Sequence, residues 1–358
     1  MNSIYVVGHF DDENGKSSKI GETLFNEIKS ENTTYFNGGS FRDLENILDS
    51  IRNYQLIYWF ADVPNDKPKI VNEIKNRNNA CILITSKRNV NNQYTFMDLV
   101  FHALNIKSNL FVEITRENDR YNGRIIDPLG NVFLDYNENF GLVGKVLRKR
   151  VNELSGFRRV SSLNIGSEAD IPYEDLFFEI IRGYAQTFHD LINPVSVAAN
   201  KFFGNASFRC ERGFPSFKSE DNMIFVSRRN VDKRFIDRNS FVGVRLENPV
   251  SYFGERKPSV DTPIQLELYS YYPKVRYMIH SHTYVSNAPF TNRIIPCGAV
   301  EEAEEIKEIF PDRNSVNFYV NLKGHGSLSL VDNFESLKNI PYIARGMPEV
   351  HLDYLDDL

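Results

Sequence analysis

The sequence predicts an α/β protein in two parts, the first built on a parallel sheet and the second on a largely antiparallel one. Three observations carry this expectation. The chain has 358 residues, more than one ordinary core accommodates. Residues 1–155 alternate near-continuous apolar runs with amphipathic stretches, the pattern of a parallel sheet covered by helices on both faces. Beyond a polar stretch at 156–170, short strand-like runs, turns and aromatic residues become more frequent.

The first domain, 1–155, is expected to be Rossmann-like. SIYVVGHF reads as its first strand, SKIGETLFNEIKS as a helix and TTYFNGG as a short strand, followed by a helix over FRDLENILDSIRNY. QLIYWFADV, KPKIVNEIKNR, ACILITS and TFMDLVFHALNI continue the alternation as strand, helix, strand and helix. The run NLFVEITRENDRYNGRIIDPLGNVFLDY breaks it and reads as a hairpin or meander turning at Asn122-Gly123 and Gly130-Asn131. FGLVGKVLRKRVNEL closes the domain as a helix, and 156–170 is read as a linker. A second α/β domain then fills 171–358, opening on the helix PYEDLFFEIIRGYAQTFHDLI.

Composition excludes several classes. Apolar and charged fractions of 41% and 25% are those of a globular chain. A net charge of -5 argues against a sequence-independent grip on nucleic acid, which needs a positive surface field. The longest basic run, Arg148-Lys149-Arg150, reads as a solvated helix face. Three cysteines, Cys81, Cys210 and Cys297, are widely spaced and form no CxxC pair or disulfide framework. The N-terminus lacks the pattern of a secretory signal, and no apolar run approaches the length of a membrane span. The expectation is a cytoplasmic protein with no membrane or nucleic-acid partner.

The chemistry concentrates in the histidines. VRYMIHSHTYV is a β-type run carrying His280 and His282. Side chains two apart on a strand share a face, about 7 Å apart along the chain, so two imidazoles can converge on one cation. His325 sits between glycines in VNLKGHGSLSL, and glycines let a backbone come close to a ligand. Three neutral imidazoles with coordination positions left open describe a catalytic rather than a structural zinc site. An HxH pair by itself also fits a half-buried strand whose histidines have polar partners.

The surrounding segment resembles the class II aldolase and adducin family. In that family a Pro-Ser-Ser-Glu or Pro-Ser-Ser-Asp turn opens a helix, and a Pro-x-V-x-x-x-x-H-x-H strand follows. Here Pro258, Ser259 and Asp261 fill the turn, and Pro273, His280 and His282 fill the strand. Gly204-Asn205-Ala206-Ser207-Phe208-Arg209 looks like the family's GN-(small or aliphatic)-S-x-R loop, and Ile295-Pro296-Cys297 and His325-Gly326 match its later landmarks in order. The resemblance covers about 155 residues, from Phe177 to Leu330. It implies a class II aldolase-like α/β domain holding a divalent metal, zinc above all, on His280, His282 and His325. It also implies a small sugar or sugar phosphate as substrate and a homo-oligomer, since relatives commonly form cyclic tetramers.

Asp261 is followed by Thr-Pro, as in the L-ribulose-5-phosphate 4-epimerase branch, where the aldolases usually carry Glu. A carboxylate there completes the metal shell or shuttles a proton at the substrate carbon; alternatively Ser259 or Asp261 caps the helix that follows. A dication held by neutral imidazoles would polarise a ketose carbonyl and stabilise an enediolate. Glu304, in AVEEAEEIKEIF, best matches the epimerase's second acid/base, with Glu301 nearby. The resemblance places Asn205, Ser207, Ser227 and Ser259 at the substrate. Departures affect the phosphate loop. Where relatives read Thr-Pro-Ser-Gly, this chain reads Ser227-Arg228-Arg229-Asn230, and Val260 replaces the second serine. Arg228 and Arg229 are candidate anion-binding groups, and Asn230 tolerates a positive φ.

The first domain carries no recognised family. GHFDDENGKSSKIG is not a P-loop, because the position five residues before Gly15 is Phe10. A loop after a first strand leading into a helix N-terminus still holds anions in many folds, so Gly15, Lys16 and Ser17 are candidate cofactor-binding residues. The sequence therefore leaves three functions open: a metal-dependent aldolase or epimerase, a non-catalytic adducin-like scaffold, and a bifunctional chain whose first domain binds a nucleotide or nucleotide sugar.

Overall fold

The computed structural model describes residues 1–7, 19–37, 46–61, 69–117, 120–192, 202–209, 223–247 and 249–356. Among these, no helix is long and apolar enough to cross a membrane. The chain divides into two compact units, Met1–Gly156 with Gly346–Leu358, and Phe157–Arg345.

The first unit is an eight-stranded sheet with helices. In chain order it runs β1 (Ser3–Val7), α1 (Lys19–Ile28), β2 (Thr33–Asn37), β3 (Leu56–Trp59), α2 (Lys69–Arg77), β4 (Ile82–Val90) and α3 (Phe96–Asn105). It continues with β5 (Leu110–Glu117), β6 (Arg120–Ile126), β7 (Asn131–Asn137) and α4 (Phe140–Gly156). The order β2-β1-β3-β4-β5 is parallel throughout, and β6 and β7 add antiparallel strands. Continuous burial of β1 and β3 explains their unbroken apolar runs: helices cover both faces. Ile4, Val6, Ile57, Trp59, Ile74 and Leu83 pack as one core layer. Buried in the sheet, the Glu113 carboxylate pairs with Arg124 at 2.7 Å and accepts from Asn89 Nδ2 at 2.6 Å, which satisfies a charge that burial would otherwise make costly.

Several local expectations are corrected. Asn122-Gly123 is no turn; both lie inside β6, and Glu117 pairs with Arg120 to close the hairpin earlier. The second turn does fall at Gly130, with φ 85°. The helix expected over 41–54 lies partly outside the described residues, and its end is a 3-10 turn at Ile51–Asn53. The last residues, expected in the second domain, belong to the first unit, where Glu349–Val350 pairs parallel to β7. That short edge strand is held by main-chain bonds, so side-chain patterning gave it no signature.

The second unit runs β8 (Leu163–Gly166), α5 (Asp175–Ile192), β9 (Asn205–Arg209), β10 (Met223–Ser227), β11 (Phe241–Arg245), β12 (Ser251–Phe253), α6 (Thr262–Tyr271) and β13 (Tyr277–Ser281). It closes with β14 (Tyr284–Val285), α7 (Glu301–Ile309), β15 (Phe318–Leu322), β16 (Gly326–Val331) and β17 (Tyr342–Ile343). Its main sheet has the order β15-β16-β13-β9-β10-β11-β12-β8, antiparallel except for the β12–β8 pair. The stretch read as a linker thus contributes β8, another edge strand. One apolar layer, from Ile224 and Val242 to Tyr269, Leu268 and Ile306, packs α6 and α7 on one face. The other, with Phe177, Phe178, Phe208 and Tyr277, packs α5 on the opposite face.

Two sheet neighbours of β13 determine what it presents. His280 sits opposite Asn205 of β9 and Leu328 of β16. Gly326 opens β16 against the end of β13. A Cβ there would overlap the Ser281 carbonyl and lie 2.8 Å from the His282 Cα. Only glycine permits this approach, and it brings His325 beside the HxH pair. Gly326→Ala should lower stability by about 2–3 kcal/mol through overpacking. Gly183→Ala, exposed within α5 with nothing within 4 Å of the added carbon, should raise it by about 1 kcal/mol. Chemical denaturation of the two variants checks both signs.

Candidate metal centre

β13, the turn after it and the entry to β16 bring three buried imidazoles together. Ring centroids lie 5.1 Å apart for His280 and His282, 4.7 Å for His280 and His325, and 4.9 Å for His282 and His325. One nitrogen from each lies within 4.8 Å of the others. His282 is one residue past the end of β13, so the bend turns its ring further inward than strand spacing alone predicts. Ser281 anchors that bend by hydrogen bonds to Thr283 Oγ1 at 2.7 Å and Ser327 Oγ at 3.1 Å. Phe203 stacks on the His282 ring at 4.6 Å.

Each ring's orientation has a cause. The Ser327 carbonyl can only accept, so His280 donates to it from Nδ1 at 2.9 Å. The lone pair is thereby placed on Nε2, which is buried without a hydrogen-bond partner among the described residues. His325 Nδ1 meets Glu302 Oε1 at 2.8 Å, and its Nε2 meets Cys297 Sγ at 3.1 Å. A carboxylate behind an imidazole orients it and raises its basicity, an arrangement common behind metal-bound histidines.

Burial, followed by the charge of His325, pushes His280 down to about 4 and His282 well below its ordinary value. Both are therefore neutral and ready to ligate at pH 7. Burial would depress His325 too, but Cys297 and Glu302 outweigh it and hold its pKa well up. Burial pushes the Glu302 carboxyl up.

Asp261 precedes α6, and its side chain makes no capping bond. Its Oδ2 instead accepts from Asn205 Nδ2 at 2.8 Å and lies 3.9 Å from His280 Nε2, while Oδ1 is buried without a hydrogen-bond partner among the described residues. Gln265 Nε2 donates to Asn205 Oδ1, so a Gln265–Asn205 relay holds the carboxylate towards the histidines. Ser259 Oγ accepts a second bond from Asn205 at 3.1 Å. Lys233, nearly buried, donates to the Phe202 carbonyl at 2.8 Å. Burial pushes its amine down to about 7, with Asp232 and Asp261 opposing.

The remaining expected residues lie elsewhere or hold the frame. Ser207 bonds Tyr269 Oη at 3.1 Å inside the core, and Ser227 accepts from the Ala206 amide at 3.1 Å. Arg228 pairs with Glu168 at 2.8 Å, whereas Arg229 interacts electrostatically with Asp261. Asn230 does take a positive φ, 60°. Glu304 pairs with Arg158 at the surface rather than facing the histidines, and Glu301 accepts from Arg158 Nε at 2.9 Å. Gly15, Lys16 and Ser17 lie outside the described residues.

Sequence reasoning missed Glu302, Gln265, Lys233 and Cys297 as neighbours of the centre. A helix-face signal existed for Glu302: in α7 it is buried where Glu304 is exposed, as the apolar Ala303 and Ile306 beside it foretell.

Residues 197–335 match the family model described as Class II Aldolase and Adducin N-terminal domain. The second unit therefore carries a class II aldolase-family domain. Among solved structures, an L-fuculose 1-phosphate aldolase is similar at 18% identity over 48% of this chain and 82% of its own, with a TM-score of 0.34. The N-terminal class II aldolase domain of a Thermoplasma acidophilum protein is similar at 18% identity over 47% and 90%, TM-score 0.32. A DNA/pantothenate metabolism flavoprotein from Streptococcus pneumoniae is similar at 12% identity over 43% and 100%, TM-score 0.34. The family assignment rests on the model match.

If Glu302 orients a ligand, Glu302→Gln should weaken zinc binding about 10- to 100-fold. Glu304→Gln should leave it unchanged. Competition against a chromophoric chelator measures both.

Proposed function

We propose that the second unit is a metal-dependent lyase or epimerase acting on a small sugar or sugar phosphate. One observation carries the reading: the buried, unpartnered Nε2 of His280, beside two further imidazoles and the unpartnered Oδ1 of Asp261. Leaving such atoms unsatisfied costs stability, and a divalent cation satisfies them. The donor set fits the cation, zinc being the first choice for imidazole ligands. Histidines 280, 282 and 325 would hold it, and when bound it would supply Lewis-acid polarisation of a substrate carbonyl.

The chain's own groups supply the rest. Asp261, steered by Asn205 and Gln265, is placed to accept or return a proton at the carbon or hydroxyl next to that carbonyl. Lys233 and Arg229 put positive charge beside it, suited to an anionic substrate. These features support an enzyme over a scaffold, because a scaffold has no use for an assembled ligand set and a separately steered carboxylate. The family match likewise supports a sugar-type substrate and self-association of the chain.

Elemental mass spectrometry of protein purified without added metal should find about one divalent transition metal per chain. His282→Ala should fall to background. Asp261→Asn should retain the metal yet lose about 10²- to 10⁴-fold in turnover of a responsive ketose phosphate. Equal metal content in wild type and His282→Ala, or no uptake of zinc, manganese or cobalt by either, would reject the reading.

A further inference from the structure

We infer that Cys297 is an additional ligand of the cation, making the site part thiolate rather than purely nitrogen and oxygen. The inference rests on the metal-site reading above and goes beyond it in the chemistry of the donor set. Cys297 lies in the loop before α7, half-buried. Its neighbour Gly298 packs against the turn that carries Asp261, where an added Cβ would come 2.9 Å from the Val260 carbonyl. The loop is therefore seated directly on the Asp261 turn, and the thiol is held at the centre.

Asp261, Cys297 and His325 each offer a donor atom within 4.8 Å of the others. His325 is common to this group and to the histidine triad. The sulfur sits 3.1 Å from Nε2 of His325, the same nitrogen that has to face the cation because Nδ1 is engaged by Glu302. Two ligands of a tetrahedral zinc, at about 2.0 Å for nitrogen and about 2.3 Å for sulfur, lie about 3.5 Å apart. The present separation is within a few tenths of an ångström of that edge. An independent observation points the same way. The Nε2 of His280, in a residue 4% exposed, has no hydrogen-bond partner among the described residues and lies 3.9 Å from Asp261 Oδ2.

In this arrangement the cation replaces the thiol proton, which leaves to solvent, and no electrons are exchanged. Thiolate ligation favours zinc and cobalt(II) over magnesium and manganese. It also ties the reactivity of Cys297 to metal occupancy, since a ligated sulfur is no longer a free nucleophile.

The full chain, stripped of metal and reloaded with cobalt(II) alone, tests the inference. Wild type should show a near-ultraviolet sulfur-to-cobalt charge-transfer band saturating at one equivalent, together with visible ligand-field bands. Cys297→Ser should lose the charge-transfer band while keeping visible bands from the imidazoles. On wild type itself, cobalt should slow alkylation of Cys297 by iodoacetamide by at least about 10-fold, a readout that does not depend on the variant folding. Visible bands without the charge-transfer band in wild type would overturn the inference and leave the histidine site standing, with Cys297 only a hydrogen-bond partner of His325. Persistence of the band in Cys297→Ser, or unprotected alkylation, would overturn it as well. No cobalt uptake by wild type would overturn the metal site and this inference together.

Discussion

The hydrogen bond from His280 Nδ1 to the Ser327 carbonyl is the contact on which the centre depends. A backbone carbonyl accepts and never donates, so the bond chooses the tautomer and points the ring's lone pair inward. It forms only because β16 lies against β13, and β16 can begin there only because Gly326 lacks a Cβ. The same approach carries His325 into range. One steric permission thus produces the strand pairing, the tautomer and the third imidazole. Those three consequences leave a buried nitrogen without a hydrogen-bond partner among the described residues, a state that a cation would relieve.

Around this the carboxylates divide into two kinds. Glu302 pairs with His325, while Asp261, also buried, is held by Asn205, which Gln265 holds in turn. The distinction follows from where each helix begins. Asp261 precedes α6 and does not cap it, which leaves its Oδ1 without a hydrogen-bond partner among the described residues. Glu302 lies in the first turn of α7, on the face that Ala303 and Ile306 bury. Charge has a similar division. Lys233 and Arg229 lie near Asp261, whereas the exposed Arg158 pairs with the buried Glu301 and the exposed Glu304.

Much of this was legible in the sequence. Parallel and antiparallel halves showed in the contrast between the strand-helix alternation of residues 1–155 and the strand-like runs, turns and aromatic residues that become frequent beyond residue 200. The clustering of His280, His282 and His325 showed through HxH spacing and the glycines beside His325. What stayed hidden has identifiable physical reasons. Edge strands such as β8 and Glu349–Val350 pair through main-chain groups and leave no apolar pattern. Asn122-Gly123 has the composition of a turn, but tertiary pairing overrode local preference and placed both inside β6. Glu302, Lys233 and Cys297 come from segments distant along the chain, and their convergence is a property of the fold. Choosing Glu304 over Glu302 treated an acidic run as uniform, when residues two apart on a helix lie about 200° apart around its axis and point to nearly opposite sides.

Three imidazoles and their neighbours are expected to hold one divalent cation. Anomalous diffraction at the zinc absorption edge, from crystals of the full chain grown with zinc, tests it most directly. A single strong peak is expected in the second unit, about 2.0–2.1 Å from one nitrogen each of His280, His282 and His325. No peak at the histidines, or zinc bound only at other residues, would contradict it.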